Sequence, residues 1–292
     1  MLLKPEQVRQ LLVSPCCLGE LADDLDRLTC KACGRAYDII DGWPVLIQFG
    51  DSIVPPELAQ RTPSQEGAFQ NVHPDVARNL RIVRSLLHEN ARLLVVGGAS
   101  NAHGLPFYDD PTTQVVAFDI KPSEITQFVA DAHRVPLPDA SVDAVIVQAV
   151  LEHVLDPAQV VREVHRVLAP QGLVYAETPF LQQVHEAAYD FTRFTESGHR
   201  WLFREFSLIE SGPIGGPGLQ AQWTIDYLMR GLSRRKRLGA VTRKFTGWLR
   251  WLDRFVPRPH RIDSAAAVYF IGRASDSSIK PEEMRSYYQG AQ

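Results

Sequence analysis

From about residue 75 onward the chain alternates between a helical period and short, continuous apolar runs, and that alternation limits it to few folds. Asp75–Glu89 places Val76, Leu80, Val83, Leu86 and Leu87 at helical spacing. Leu93–Val96 is an apolar run of strand length, and Val115–Phe118 is a second, closing on Asp119. Gln127–Ala130 and Val142–Val147 follow. Pro157–Leu168 reads as a helix, with Asp156 as N-cap, Pro157 in the first turn, one face of Val160, Val161, Val164, Val167 and Leu168, and a stop at Pro170 and Gly172. Leu173–Glu177 is a fifth strand and Val268–Ile271 a last one. Strands alternating with helices imply a mostly parallel sheet covered on both faces, an α/β fold.

A chain of 292 residues has room for one large domain, or for one domain and a small companion. A net charge of −3 argues against a generally basic nucleic-acid binder. The charge is uneven, however: residues 226–261 hold eleven Lys/Arg and two Asp, a local net of +9. Such a segment suits phosphate, an anionic membrane face or an acidic partner. Met1–Leu12 is broken by Lys4, Pro5, Glu6, Arg9 and Gln10, unlike a signal peptide, and no stretch is long and apolar enough to span a bilayer. The expected compartment is the cytoplasm, where thiols stay reduced, with peripheral membrane contact through 226–261 as the variant reading.

All four cysteines, Cys16, Cys17, Cys30 and Cys33, fall in residues 1–50, which read as a small β-rich module with an Asp41-Gly42 turn. Cys30-Lys31-Ala32-Cys33 is a good zinc knuckle; Ser14-Pro15-Cys16-Cys17 is an irregular one. Zinc on the four thiols and a metal-free remnant both stay open. Residues 51–74 carry Pro55, Pro56, Pro63 and Pro74 and read as a linker, 75–275 as the main domain, and 276–292 as a polar tail.

Several features of the main domain converge on a nucleotide-like cofactor. The first strand runs into Gly97-Gly98-Ala99-Ser100-Asn101, small residues that let backbone approach a ligand. Asp119, followed by Ile120, closes the next strand, where a carboxylate can take ribose hydroxyls. Asp131-Ala132 then leads into "VPLPDASVDAVIVQAVLEHV", the run that ends beyond Gln148 at Glu152 and His153.

Residues 128–179, "FVADAHRVPLPDASVDAVIVQAVLEHVLDPAQVVREVHRVLAPQGLVYAETP", resemble the class I S-adenosylmethionine (SAM)-dependent methyltransferases. The resemblance covers about 75–211 and implies a Rossmann-like, seven-stranded methyltransferase fold. It implies SAM as cofactor, with Gly97, Gly98, Ala99 and Ser100 in the loop, Asp119 on the ribose, Asp131 on the adenine amino group, Ala132 beside the ring and Gln148 at the methionine end. The chain departs from the family's glycine loop: Val95 stands where an acidic residue is expected, and Ala99 and Asn101 replace glycines. The segment from Leu11 to Ile47 is similar to the zinc-ribbon proteins that partner methyltransferases and to the zinc finger ahead of some ribosomal RNA guanine methyltransferases, with Ser14 in place of the first cysteine.

An acceptor must be aligned, desolvated and, if it is a hydroxyl, deprotonated. The candidates lie after the fourth and fifth strands: Glu152 and His153, then His185, Tyr189, Asp190 and Arg193 in a segment that could form a lid. His185 is the first choice of base and His153 the second. His133 reads as a wall residue of the adenine side rather than a base, and His165 as structural or solvated. Residues 224–257 read as an amphipathic helical insertion with Leu238, Val241, Phe245, Trp248, Leu249, Leu252 and Phe255 on one face and Arg237, Arg243, Lys244, Arg250 and Arg254 elsewhere. Its apolar face packs on the sheet or another subunit, or meets a membrane interface. The expected activity is methylation of a small-molecule or glycan-type acceptor. The alternatives are an RNA methyltransferase and a non-catalytic partner protein on the same fold.

Overall fold

The computed structural model describes all residues except 25, 60–71, 100–104 and 236–241. Ser100, Asn101, Arg237, Leu238 and Val241 therefore lie outside the described residues.

The first helix, α1 (Pro5–Arg9), precedes four short strands: β1 (Leu21–Asp24), β2 (Arg27–Cys30), β3 (Ala36–Ile40) and β4 (Trp43–Leu46). A turn of helix, α2 (Pro56–Ala59), and α3 (Pro74–Leu86) lead to β5 (Ala91–Val96), α4 (Leu105–Tyr108), β6 (Thr113–Asp119), β7 (Phe128–Ala130) and β8 (Val142–Gln148). Then come α5 (Pro157–Val167), β9 (Leu168–Pro179), α6 (Glu196–Leu202), β10 (Phe206–Ile214), α7 (Pro217–Ser233) and β11 (Ala267–Ala274). Asp156 does cap α5, its carboxylate accepting from the Gln159 N–H at 3.0 Å.

The main domain is Rossmann-like, with strand order β7-β6-β5-β8-β9-β11-β10. Neighbours from β7 to β9 are parallel, and β11 runs antiparallel to both β9 and β10. These are the seven strands the resemblance implied. β10 was not located from sequence, because its centre, Glu210-Ser211-Gly212-Pro213, carries no apolar alternation. Its packing comes from neighbours instead: Phe206 stacks edge-on against Phe203 and Phe270 in the core.

The N-terminal module is β-rich, and β4 extends the large sheet by pairing in parallel with β7, Val45 opposite Val129 and Leu46 opposite Ala130. The result is one eleven-stranded sheet among the described residues. The two apolar cores are continuous: Val8, Leu12, Leu28, Tyr37 and Leu46 pack in the same cluster as Phe118, Phe128 and Ala130. Within 51–74, Val54 and Ala59 are buried against Val45 and Ile47.

The basic segment departs from one continuous amphipathic helix. Arg234, in left-handed backbone at φ +53°, ends α7, and Leu249–Phe255 forms a 3-10 helix instead. The reason is a tertiary contact: the Asp253 carboxylate turns inward and accepts the Gly218 N–H at 2.6 Å and the Leu219 N–H at 3.0 Å, capping α7. The apolar side chains face outward, with Phe245 75% and Trp248 62% exposed, so they are not packed on the sheet.

One buried titratable group sits behind the sheet edge. His199 on α6 is buried beside Phe203, its Nε2 3.1 Å from Thr178 Oγ1, and burial pushes its pKa down to about 3. A histidine whose folded pKa lies below its unfolded value of about 6.5 leaves stability intact above pH ~6.5 and erodes it as pH falls toward 3. Stability of the chain is expected to drop below pH ~6.5 by up to about 1.4 kcal/mol per pH unit from this group. Chemical denaturation across pH should show that slope flattened in His199→Gln; an unchanged slope would remove His199 as its source.

Candidate active site

The parallel strands β5, β6, β8 and β9 deliver their carboxyl ends to one edge of the sheet, the place where open α/β folds bind ligands. After β5, Gly97 takes φ +77°, a left-handed conformation that glycine enters without a steric cost. Gly98 lies against β6: a Cβ there would stand 3.1 Å from Ala117 Cβ. The Ala99 N–H donates to Asp119 Oδ2 at 3.0 Å, and the Lys121 N–H to Oδ1 at 3.3 Å. Burial raises the Asp119 carboxyl, with these N–H groups opposing. The nearby Tyr108 hydroxyl is buried with no hydrogen-bond partner among the described residues, and burial and Asp119 both raise its pKa. An orphaned hydroxyl beside a half-buried carboxylate and a glycine turn fits a polar ligand such as a ribose. Ile120 follows Asp119 and packs with the Val45, Ile47 and Val129 cluster.

Asp131, just past β7, is held from three sides. His133 Nδ1 lies 2.6 Å from its Oδ1, the His133 N–H donates at 2.9 Å, and the Ser52 hydroxyl donates to Oδ2. Burial pushes this carboxyl up, but those hydrogen bonds outweigh it and hold it below the ordinary range. Ala132 is buried in the core. Ser52, Asp131, His133, Arg134, Gln48 and Asp51 line a small pocket between the module and the main domain. His133 lines this pocket beside Asp131.

Gln148 ends β8, buried, and donates to Glu177 Oε2 at 3.2 Å. Glu177 was not among the candidates read from the sequence. Burial pushes it up to about 8, Gln148 opposes, and the charges of Glu152 and Asp75 add to the rise. Its Oε1 has no hydrogen-bond partner among the described residues. The only sequence signal was an acidic residue closing an apolar strand at the ligand edge. By strand register, Val95, Ile146, Gln148 and Glu177 share one face of the sheet. Val95 itself is core.

The acceptor-side candidates converge. Segment 180–194 folds over the ends of β8 and β9: the Phe191 N–H donates to Glu152 O at 2.7 Å and the Phe194 N–H to Pro179 O at 3.2 Å. Beneath it, Glu152 Oε1 lies 3.7 Å from His153 Nε2 and 3.6 Å from His185 Nε2, and the two imidazoles meet edge-on at 4.8 Å. Glu152 holds His185 above its ordinary pKa, against an opposing effect of burial. Asp190 accepts the His185 N–H at 2.7 Å and pairs with Arg193, whose Nη2 is 2.6 Å from Oδ2. Burial alone would raise Asp190, and these partners lower it. Arg193 also donates to Gln182 O at 3.0 Å, which ties the segment together. Tyr189 enters through its backbone: its carbonyl accepts from His153 Nδ1 at 2.6 Å, while its ring is turned outward.

In the module, the sulfurs of Cys16 and Cys33 are 3.2 Å apart and those of Cys17 and Cys30 3.5 Å apart. Those of Cys16, Cys17 and Cys33 all lie within 4.8 Å of one another. Thiolates on a tetrahedral zinc, with bonds of about 2.3 Å, sit at comparable spacing, so Cys16, Cys17 and Cys33 fit the metal as three ligands, while Cys30 approaches the group through Cys17. Gly19 leaves the room: a Cβ there would stand 2.8 Å from Cys30 Sγ. Backbone N–H groups of Cys33 and Ala32 bring Cys30 down to about 6, against burial. Ser14 is buried and spans Cys16 Sγ at 3.1 Å and Tyr37 OH at 2.8 Å, so the residue in the missing cysteine's place braces the knuckle instead.

Residues 96–176 match the methyltransferase domain family, and residues 10–42 match the Trm112p-like protein family. Over that stretch the chain is similar to proteins named SAM-dependent methyltransferases. It is 33% identical over 109 residues to a Mycolicibacterium smegmatis protein named "Probable S-adenosylmethionine-dependent methyltransferase", a match covering 34% of this chain and 42% of that one. It is 38% identical over 88 residues to the ubiquinone/menaquinone biosynthesis C-methyltransferase of a Caulobacter species, covering 28% and 34%. The matched stretch thus spans less than half the length of these relatives. Among solved structures, a complex of the Haloferax volcanii Trm112 methyltransferase activator with a methyltransferase aligns with a TM-score of 0.47 at 16% identity, over 70% of this chain and 90% of that one. A Burkholderia thailandensis N-methyltransferase holding S-adenosylhomocysteine (SAH) aligns with a TM-score of 0.43 at 14% identity, over 68% and 77%.

Proposed function

We propose that this chain transfers the methyl group of SAM to a small-molecule or glycan-type acceptor, bound between the ends of β8 and β9 and the 180–194 segment. The observation that carries the reading is the Asp119 carboxylate, fixed at the end of β6 by the Ala99 N–H beside the Gly97-Gly98 turn, inside the stretch that matches the methyltransferase domain. Asp119 would take the ribose and Asp131 the adenine. Gln148 and Glu177 would face the methionine end, where Glu177 supplies, from the same sheet face, the carboxylate that Val95 lacks. SAM bound there places an electrophilic methyl group on a sulfonium. The polar acceptor wall of Glu152, His153 and His185 can orient a hydroxyl or amine and take its proton. Calorimetric titration of the folded chain with SAM and SAH tests this reading. Micromolar binding followed by labelled-methyl transfer in an acceptor screen supports it, and a folded chain that binds neither ligand overturns it.

The surface beside this site suits a membrane-borne or amphiphilic acceptor. Tyr227 on α7 donates to Val184 O at 3.1 Å, so α7 abuts the 180–194 segment. From there Leu228 and Leu232, then Phe245, Trp248, Trp251 and Phe255, present apolar groups outward among Arg234, Arg235, Arg243, Lys244, Arg250 and Arg254. Aromatic and cationic side chains mixed on one surface favour the headgroup region of an anionic bilayer. The chain is expected to co-sediment with phosphatidylglycerol vesicles at low salt and less with neutral ones. Joint replacement of Trp248, Trp251 and Phe255 by alanine should weaken that binding at least ~10-fold. Equal recovery of both proteins would remove the membrane role.

A further inference from the structure

We propose that Glu152, His153 and His185 form a binding site for a first-row divalent transition metal at the acceptor end of the cleft. The strongest pointer is Glu152. It is 0% exposed, and neither carboxylate oxygen has a hydrogen-bond partner among the described residues. A buried carboxylate without a hydrogen bond is costly, and a cation is the partner that offsets the cost most fully. Its surroundings are those of a ligand set. His153 Nε2 and His185 Nε2 both face Oε1, at 3.7 and 3.6 Å. Those separations are too long for hydrogen bonds. They suit atoms that share an ion with bonds of about 2.0–2.2 Å. One donor atom from each of the three residues falls within a common 4.8 Å.

The second ring nitrogen of His153 is placed as a metal-bound histidine places it, while that of His185 has no hydrogen-bond partner among the described residues. A ligating imidazole usually gives its remote N–H to a carbonyl or carboxylate, which fixes the tautomer and aims the lone pair. His153 Nδ1 lies 2.6 Å from the Tyr189 carbonyl, which can only accept, so Nδ1 carries the hydrogen and Nε2 presents its lone pair toward Glu152. His185 Nδ1 lies 3.4 Å from Asp190 Oδ2, a carboxylate already held by Arg193. The half-buried imidazoles leave a route in from solvent. Two imidazoles and one carboxylate favour zinc, manganese, iron(II) or cobalt over magnesium or calcium, which prefer all-oxygen sites. Three protein ligands leave coordination positions open. On the methyl-transfer reading, those positions would take an acceptor hydroxyl, whose pKa the ion would lower so that its proton passes to solvent water rather than to the three ligating side chains.

Manganese separates this site from the cysteine cluster, because hard Mn2+ avoids thiolates. The full chain, stripped with chelator and dialysed, should be titrated with Mn2+ and free ion followed by electron paramagnetic resonance. One Mn2+ per chain is expected, with affinity lowered at least ~10-fold in both Glu152→Gln and His185→Ala and unchanged in Cys16→Ser. Far-UV circular dichroism and SAH titration of each variant report fold and cofactor site separately. Loss of SAH binding in all proteins would sink the methyltransferase reading and leave the metal result standing. The metal site is overturned if the folded wild-type chain binds neither Mn2+ nor Co2+, or if the variants bind as tightly as wild type.

Discussion

Replacing Asp119 with alanine is expected to lower SAH affinity by at least ~100-fold while leaving the chain folded. Two ribose hydroxyls on one carboxylate are charge-assisted hydrogen bonds, each worth about 1.5–3 kcal/mol, and about 1.4 kcal/mol is tenfold in affinity. The same carboxylate accepts the Ala99 N–H and so sets the path of the turn after Gly98, which adds to the loss. Stability should move the other way. Burial raises the Asp119 pKa, which means that the folded chain holds this carboxylate in an unfavourable environment at neutral pH. A group with a raised acidic pKa opposes folding once pH exceeds its unfolded value, so removing it should leave the melting temperature level or slightly higher. A variant that is stable and unable to bind marks a ligand group. A variant that loses both together would mean that Asp119 serves the fold, and a variant that binds SAH as wild type does would place the ribose elsewhere.

How far the sequence carried depended on whether the signal was local. The strand runs at Val115–Phe118 and Val142–Val147 were legible because residues buried on both sheet faces must be continuously apolar, and α5 because its cap, first-turn proline and apolar face agree. β10 was not, since Ser211 and Gly212 are accommodated by contacts with Tyr269, Arg258 and Tyr287 that lie far away in the chain. The acceptor candidates after β8 and β9 did come together, because strand ends at one sheet edge are neighbours whatever loops join them. Tyr189 shows the limit: it lies beside His153, but what it brings there is a carbonyl, which no residue type announces. Glu177 was invisible for a related reason. Its character comes from burial beside Gln148 and Glu152, a fact about packing. The outward turn of Trp248 and Phe255 likewise hung on Asp253 finding the end of α7.

Leu46→Ala is expected to destabilise the whole chain by about 2–5 kcal/mol, the usual cost of emptying a filled leucine site, and Leu46→Asp to prevent folding. Leu46 is 1% exposed and pairs with Ala130 where β4 of the module joins β7 of the main sheet. Its side chain belongs to the cluster that holds Leu28 and Tyr37 on one side and Phe118 and Phe128 on the other. A core shared in this way predicts a single unfolding transition. The far-UV signal, dominated by the main sheet, and the fluorescence of Trp43, whose indole N–H donates to Thr126 O at 2.8 Å, should shift together in urea. A module merely tethered by residues 51–74 would give two transitions, with the substitution moving only the first. The coupling should also reach the cofactor. Ser52, six residues beyond Leu46, donates to Asp131, and that bond holds only while β4 lies against β7. Leu46→Ala should therefore weaken SAH binding even at concentrations of urea too low to unfold it, because loosening β4 frees the carboxylate proposed to read the adenine.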